Sequence, residues 1–427
     1  VNVVGSVTPK PSLLTYSLNN GPTIALRTGP DPLRLAKPGD FNIDLDYTEL
    51  KPGANQVKII AKDSQGLESQ ALVTVYYQRV GSPGTTPWTK PGSTYIYNWA
   101  GAARIDDLAQ VVDGQWELAN GGVRPTVLAY DRLIGIGNLS WRDYTVTVPI
   151  TFTGIDPAGY EWPSNGPAVG VILRWQGHIL NPNTNATAPL DGWQRLGTFA
   201  FYHWMRTAGD GGYEYSEALR MYRYLGKPDQ VLTKARTLNI GTTYNFRVSV
   251  QSTGVANPPA IYRFKVWDAL TPEPDDWDFE APGFPGEPAS GGVLLVAHHV
   301  DAKFGNVTVQ LDSTLPPPTL TVNKSGSGSG NVSLSPASQT NTYRFGEDVQ
   351  LTAAPASGSS FASWQGGLSG NANPAWVELF SDKTVTAVFT SDTVGAPVSD
   401  DFSSCTLDSR WEFIDPLANS TLTMTGS

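Results

Sequence analysis

The stretch YRFKVWDALTPEPDDWDFEAPGFPGEPASGGVLLVAHHV, residues 262–300, decides the fold of the central part of the chain. Its two ends, YRFKVWD and GGVLLVAHHV, are typical of β-strands because they are rich in aromatic and branched apolar residues. Five prolines lie between these ends, and a proline cannot donate a hydrogen bond to a strand ladder. The sequence therefore predicts two strands joined by a long loop.

The loop carries three acids at alternate positions, Asp276, Asp278 and Glu280. On a strand they would line one face, and retaining glycosidases need two carboxyl groups about 5–5.5 Å apart, which alternate strand positions provide. In a loop this alignment is lost, and the prolines favour a loop. We therefore interpret the segment as an acidic loop, with a glycosidase site as the alternative.

Composition extends the β prediction to the whole chain. The 427 residues include 43 Gly, 33 Pro, 13 Trp, 17 Tyr and 15 Phe, and no long apolar run has a helical period. This favours an all-β protein of two to four domains. A formal net charge of −10 without a basic stripe excludes a nucleic-acid partner, because phosphate binding needs clustered Lys and Arg. No apolar run reaches the roughly 18–20 residues of a membrane span.

The cysteine count and the linkers bear on localisation. A single cysteine, Cys405, cannot form an internal disulfide, and large secreted bacterial proteins often contain almost none. Richness in Thr, Ser, Asn and Gly together with Pro-rich linkers favours a secreted or cell-surface protein. The chain starts without an export signal and stops just after a strand-like segment, so we expect it to be part of a longer polypeptide.

Residues 1–80 are predicted to form a small β-sandwich. GDFNIDLDYTEL is an alternating strand that puts Phe41, Ile43 and Leu45 on one face. The run LKPGANQVKIIAKDSQG resembles the immunoglobulin-like or cadherin-like modules of bacterial secreted proteins, which implies an immunoglobulin-like sandwich. The Pro/Gly-rich residues 81–93 are predicted to be a linker.

Residues 94–312 are predicted to form one antiparallel two-sheet jelly roll. The residues that carry its family pattern are Lys265, Trp267, Glu273, Pro274, Trp277, Gly291, Leu294, Phe304, Asn306, Val307 and Val309. The pattern resembles the laminin G-like, concanavalin A-like sandwiches of bacterial polysaccharide-associated proteins. That superfamily contains sugar-binding modules as well as glycan hydrolases and lyases. The resemblance also implies a structural calcium ion as an option, without assigned ligands, and no other cofactor.

Three further segments complete the chain. Residues 313–318 are a Pro-rich linker, and residues 319–390 resemble the bacterial repeat related to the internalin B-repeat, which implies a spacer or adhesive stalk. Residues 391–427 resemble the opening of a second, truncated concanavalin A-like sandwich. The matches in the repeat are Gly330, Val332, Pro336, Tyr343, Gly346, Val349, Leu351, Ala353, Pro355, Phe361, Trp364, Gly366 and Phe389, with Phe361 and Trp364 expected in its core. Those in the last segment are Asp401, Phe402, Leu407 and Trp411.

A glycan site needs aromatic platforms beside planar hydrogen-bonding side chains, because sugars present both C–H faces and hydroxyl rims. Strand alternation in AVGVILRWQ places Trp175 with the core and its two polar neighbours on the exposed face. In ALRMYRYLG, alternation places an Arg and two Tyr outward. The predicted glycan-binding residues are Arg174, Gln176, His203, Arg220, Tyr222 and Tyr224.

Two other functions stay open at this stage. Polysaccharide lyases on this fold use a Tyr/His pair with Arg and Asn or Gln, and the candidates for such a set are His178, His203, Tyr202, Arg174 and Gln176. A structural stalk that binds no ligand is the third alternative. His298 and His299 lie in an apolar strand and are predicted to be hydrogen-bonded structural residues. The histidines lack a zinc-ligand spacing.

Overall fold

The computed structural model describes residues 1–46, 49–77, 94–178, 187–190, 196–209, 212–222, 231–253, 257–312, 318–343, 347–379, 382–392, 403, 406–407, 412, 414, 417 and 419–423. The fold is all-β, as predicted. Two compact units divide the chain: Val1–Thr319 with Thr342–Asp348 and Glu378–Ser381, and Leu320–Asn341 with Val349–Val377 and Asp382–Ser427. Within the described ranges, no helix is long and apolar enough to span a bilayer.

The first unit begins with a six-stranded sandwich. Its strands are β1 (Asn2–Ser6), β2 (Leu13–Leu18), β3 (Ile24–Leu26), β4 (Asp40–Asp44), β5 (Gly53–Lys62) and β6 (Glu68–Tyr77). They form the sheets β1-β4 and β3-β2-β5-β6. Ile43 and Leu45 are buried between these sheets and Phe41 packs against the same core, which confirms the predicted face of that strand.

In the described residues from 94 to 312, sixteen strands and three short 3-10 helices follow in the same unit. The strands are β7 (Thr94–Tyr97), β8 (Gln110–Asp113), β9 (Trp116–Ala119), β10 (Gly122–Pro125), β11 (Arg132–Ile136), β12 (Tyr144–Ile155), β13 (Ala168–Trp175), β14 (Thr198–Gly209), β15 (Gly212–Tyr222), β16 (Val231–Ala235), β17 (Thr243–Ser252), β18 (Ala260–Asp268), β19 (Phe279–Pro282), β20 (Gly292–His298), β21 (Val300–Phe304) and β22 (Val307–Leu311). The 3-10 helices are Trp99–Gly101, Ile105–Asp107 and Pro157–Tyr160.

These strands build two stacked sheets. A nine-stranded sheet has the order β19-β18-β17-β12-β21-β10-β9, with β22 pairing with both β12 and β7. A seven-stranded sheet has the order β16-β15-β14-β13-β20-β11-β8. Alternate apolar residues of the two sheets form one continuous core, because each strand turns every second side chain toward the other sheet.

The acidic segment contains more regular structure than its prolines indicate. Residues 279–282 form β19, which pairs with β18 from Phe264↔Phe279 to Ile261↔Pro282. The prediction of an uninterrupted loop is therefore wrong at these four positions. β19 lies at the edge of the nine-stranded sheet, where a proline leaves no ladder partner unsatisfied.

A buried ion pair joins the N-terminal sandwich to the seven-stranded sheet. Arg34 donates to Asp113 Oδ1 over 2.5 Å through Nε and to Asp44 Oδ2 over 2.8 Å through Nη1. Burial acts to raise the pKa of Asp44, but the charge and hydrogen bonds of Arg34 outweigh it and hold that pKa below its ordinary value. The other oxygen of Asp113 lies 3.0 Å from His178 Nε2. Removing the arginine would leave two buried carboxylates without their cation.

The repeat-like segment lies mostly in the second unit. Its strands are β23 (Leu320–Ser325), β24 (Gly330–Ser335), β25 (Glu347–Pro355), β26 (Ser359–Gly366), β27 (Ala375–Leu379) and β28 (Lys383–Ser391), in the sheets β23-β28-β26 and β24-β25-β27. Trp364 is buried, and its ring centroid lies 4.8 Å from that of the partly buried Phe361, as predicted for core residues. Asp401, Phe402 and Trp411, which carry the resemblance to a second sandwich, lie outside the described residues, as does Cys405.

Candidate functional site

The candidate site lies on the outer face of the seven-stranded sheet, which we define as the face turned away from the core between the sheets. Leu219 and Met221 on β15 point into that core, so Arg220 and Tyr222 belong to the outer face, as strand alternation predicts. Next to Tyr222 the outer face is apolar: Phe199 and Phe201 belong to a second buried cluster that Tyr222 packs against.

Two histidines share this face on the two strands that flank β13. Ala168 on β13 pairs with His203 on β14 and with His298 on β20. Residues opposite each other on adjacent strands point to the same side, and strands lie about 4.8 Å apart, so the two histidines stand roughly 10 Å apart across one small alanine.

His203 links Tyr222 to the loop that follows β12. Its Nε2 lies 3.1 Å from the carbonyl oxygen of Gly166, and its Nδ1 lies 2.9 Å from Tyr222 Oη. A carbonyl can only accept, so Nε2 carries the hydrogen and Nδ1 accepts from the tyrosine hydroxyl. Burial, with the positive charge of Arg220, lowers the pKa of His203 to about 3, so the ring is neutral near pH 7. Burial raises the pKa of Tyr222, and Arg220 opposes that rise.

Arg220 supplies a positive charge beside this pair. Its guanidinium donates to Thr233 Oγ1 over 3.3 Å and to Ser216 Oγ over 3.2 Å, both neutral partners. Within the described ranges no carboxylate lies at ion-pair distance from it, whereas Arg263 on the other sheet is paired with Glu280 at 2.6 Å. Burial lowers the pKa of Arg220, but a guanidinium keeps its proton in proteins. A partly desolvated cation with only hydroxyl partners attracts an anionic group.

Arg174 does not belong to this site, and its predicted place on an exposed face is wrong. A bulge between Ile172 and Trp175, with φ of +53° at Arg174, breaks the alternation of β13. The guanidinium therefore turns inward, where it contacts Glu287 at 3.2 Å and Asp143 at 3.5 Å, and only 1% of the residue is exposed. The same bulge moves Trp175 out of the inter-sheet core and into the outer apolar cluster.

Two predicted residues remain, and the structure describes only Gln176. Gln176 donates to the carbonyl oxygens of Leu139, over 3.2 Å, and Ser290, over 2.5 Å, and so ties two loops together. Tyr224 lies outside the described residues. The structure thus brings together three of the six predicted residues, His203, Arg220 and Tyr222.

The tyrosine that pairs with His203 is Tyr222 and not Tyr202, the candidate that the sequence suggested. Tyr202 points into the core, where its Oη donates to Glu217 over 2.7 Å and accepts from the Leu238 N–H over 2.9 Å. It cannot face the same side as His203, the next residue on a regular strand. The tyrosine that pairs with His203 comes from β15, and a pairing between strands leaves no local signal in the sequence.

Asp278, the middle of the three alternate acids in the 274–283 segment, is held by two cations. Asp278 lies 2.6 Å from Lys234 Nζ and 3.3 Å from Arg236 Nη1, and it also accepts the Val266 N–H over 3.0 Å. These bonds fasten the segment to β16 and β18 and occupy both carboxylate oxygens of Asp278. The arrangement therefore does not support a glycosidase acid pair.

The sequence prediction missed the loop between β12 and β13 as a part of the outer face. Ser164 hydrogen-bonds His298 Nε2, and the Gly166 carbonyl accepts from His203, so this loop contacts both histidines. Trp162, two residues before Ser164, is 87% exposed. A tryptophan directly before a proline was the signal for this loop in the sequence. His298 and His299 are hydrogen-bonded as predicted, to Asp131 and Asp156 respectively.

Calcium ligands cannot be assigned among the described side chains. Among them no group of three or more His, Cys, Asp or Glu residues is arranged to hold a metal ion. Asp131 and Asp156 are engaged by the rings of His298 and His299 respectively.

One protein-family model matches a part of the chain. Residues 319–393 match the family model described as the divergent InlB B-repeat domain, which confirms the resemblance of that segment. No curated protein matches the chain.

Three solved structures are similar to about half of this chain. Alginate lyase Aly36B is 14% identical, with a TM-score of 0.31, over 52% of this chain and 99% of its own. The VIP36 exoplasmic/lumenal domain in a Ca2+/Man2-bound form is 12% identical, with a TM-score of 0.35, over 53% and 90%. Peanut lectin with a nonapeptide is 10% identical, with a TM-score of 0.32, over 51% and 97%.

Proposed function

We propose that the outer face of the seven-stranded sheet binds an acidic glycan at His203, Arg220 and Tyr222. The observation that carries the proposal is Arg220, a partly buried cation whose described partners are neutral hydroxyls. A uronate carboxylate or a sulfate ester would supply the missing anion, and a charge-assisted hydrogen bond is about twice as strong as a neutral one.

The surroundings of Arg220 suit a sugar ring. Tyr222 combines an aromatic face with a hydroxyl, and its ring already packs near Phe199 and Phe201, so its orientation is fixed before a ligand arrives. Trp162 offers a second aromatic platform on the loop that contacts His203. Tyr224 remains a predicted member of the site.

The same three residues support a polysaccharide lyase as the second candidate. In such a β-elimination, the proton on the carbon next to the carboxylate is removed, the glycosidic C–O bond breaks, and the leaving oxygen takes up a proton. Arg220 would neutralise the carboxylate, and the hydrogen-bonded Tyr222–His203 pair would transfer the proton. The neutral state of His203 favours this reaction because a protonated ring could not accept the proton.

A polysaccharide panel tests both candidates on the full chain. Affinity electrophoresis in gels that contain uronate-rich, sulfated or neutral polysaccharides should show retardation only with the anionic ones. Ultraviolet absorbance of unsaturated uronic acid ends, followed in the same mixtures, should rise only if the protein is a lyase. Equal mobility in every gel and no unsaturated product would contradict the proposal and favour a stalk without a ligand.

We also propose that the chain is a segment of a secreted or cell-surface multidomain protein, with modules at 1–80, 94–312 and 319–390 and the B-repeat as a spacer. Limited proteolysis checks these boundaries, because linkers are cut before folded modules. The first cuts are expected within 81–93 and 313–318, and first cuts inside a module would move the boundary.

A further inference from the structure

A second cluster of hydrogen-bonded side chains lies on the outer face, and it shares no residue with the proposed glycan site. His298 Nε2 hydrogen-bonds Ser164 Oγ, and His298 Nδ1 lies 2.7 Å from Asp131 Oδ1. All three residues are buried: Ser164 is 7% exposed, His298 9% and Asp131 6%. They come from three separate segments of the chain, and the fold brings them into contact.

The hydrogen bonds fix the tautomer of the ring. A carboxylate can only accept, so the hydrogen of His298 lies on Nδ1 and points at Asp131. The backbone N–H of Asp131 also approaches Nδ1, but at 3.3 Å it is the longer and weaker contact. Nε2 is then an acceptor for the hydroxyl hydrogen of Ser164. This is the arrangement by which a carboxylate-oriented histidine activates a serine nucleophile.

If these three residues only held the loop to the sheet, the buried unpaired oxygen and the strained backbone at Asp131 would bring no benefit. Its second oxygen, Oδ2, is buried without a hydrogen-bond partner in the described structure, a state that costs about 1–3 kcal/mol. Its backbone lies in the left-handed region, with φ of +38°, and His299, beside the ring, has φ of +54°. Strained conformations of this kind cluster at functional sites. The loop is already held at its start by Asp156, which accepts from His299 over 2.9 Å.

The residue after Ser164 offers a hydrogen-bond donor. Asn165, the residue after Ser164, is exposed, and in the described part of the chain its backbone N–H has no acceptor. In hydrolases with a serine nucleophile, the N–H of the residue after the serine often stabilises the oxyanion.

We propose that Ser164, His298 and Asp131 form a catalytic triad that hydrolyses carboxylic esters. Ser164 Oγ attacks the ester carbonyl carbon while its proton passes to His298 Nε2. The carbonyl C–O bond to the alcohol then breaks, and the alcohol leaves with that proton. Water, activated by the same histidine, hydrolyses the acyl-serine to the carboxylic acid and the free serine. This activity goes beyond glycan binding and does not depend on it.

A fluorophosphonate probe and 4-nitrophenyl acetate test the triad in the full chain. The wild-type protein should be labelled, peptide mass spectrometry should place the label on Ser164, and ester hydrolysis should exceed the buffer rate. Ser164→Ala should abolish labelling, and Asp131→Asn, which keeps the side-chain shape, should lower hydrolysis by roughly 10²–10⁴-fold. Ser249→Ala, a buried serine on the nine-stranded sheet, is the matched control and should keep both signals.

Two results would overturn the triad. One is a folded wild-type protein, by circular dichroism, that neither reacts at Ser164 nor hydrolyses the ester faster than buffer. The other is hydrolysis that persists in Ser164→Ala at the wild-type rate. If Ser164→Ala only lowers the unfolding temperature of a protein that was inactive from the start, the three residues are a structural clamp and the proposal is wrong.

Discussion

Acid is expected to destabilise the jelly roll through His203. The folded protein holds the pKa of this ring at about 3, because the ring is buried beside Arg220, whereas an unfolded histidine titrates near 6.5. Between these two values the unfolded chain binds more protons than the folded one. The stabilisation is therefore complete above about pH 6.5 and is lost progressively as the pH falls toward 3. Each pH unit in this window costs up to about 1.4 kcal/mol, so acidification from pH 6.5 to 5 should cost about 2 kcal/mol.

The variant His203→Gln isolates this contribution. It lacks the titrating ring, so its stability should be lower at pH 7 but should fall less steeply with acid. Urea unfolding followed by tryptophan fluorescence at pH 7, 6 and 5 measures both slopes. The pKa of His299 is also lowered by burial, but that residue is present in both proteins and cancels in the difference. Equal pH slopes for the variant and the wild type would refute the assignment of the effect to His203.

Three further substitutions test individual contacts. Arg34→Met leaves the buried Asp113 without its cation and should cost about 3–5 kcal/mol in thermal or urea unfolding; a loss below 1 kcal/mol would contradict the role given to the pair. Gly166→Ala should cost about 1–3 kcal/mol and weaken glycan binding, because an added Cβ would lie 1.7 Å from the carbonyl oxygen of Trp204 and φ is +135°; wild-type stability and affinity would show that the loop adapts. Asp278→Asn should cost no more than about 1 kcal/mol and leave glycan binding unchanged, since its cationic partners are partly exposed; abolished turnover of a polysaccharide would restore the catalytic interpretation of the acidic row.

Regular strands could be predicted from the sequence, and the features that depend on pairing could not. Alternation correctly placed Arg220 and Tyr222 on the outer face, because β15 pairs with β14 without a register shift. The same rule failed at Arg174, because one residue in a left-handed conformation reverses the faces of all that follow.

The hydrogen-bond partners of the outer-face histidines also could not be predicted from the sequence. Asp131 and His298 are 167 positions apart, and Tyr222 reaches His203 across a strand pair. Such contacts depend on the register of a complete sheet, which no local pattern encodes. The resemblance to laminin G-like sandwiches predicted the architecture, but the place of the site on it required the side-chain geometry.

Titration calorimetry with a uronate-rich polysaccharide tests the central claim most directly. Arg220→Gln removes the cation from the outer face, whereas Arg263→Gln makes the same charge change on the other sheet, where the arginine is paired with Glu280. A lost charge-assisted hydrogen bond of about 1.5–3 kcal/mol predicts a Kd roughly 10- to 150-fold higher for Arg220→Gln and an unchanged Kd for Arg263→Gln. Wild-type affinity in Arg220→Gln, or an equal loss in both variants, would contradict a glycan site on this face.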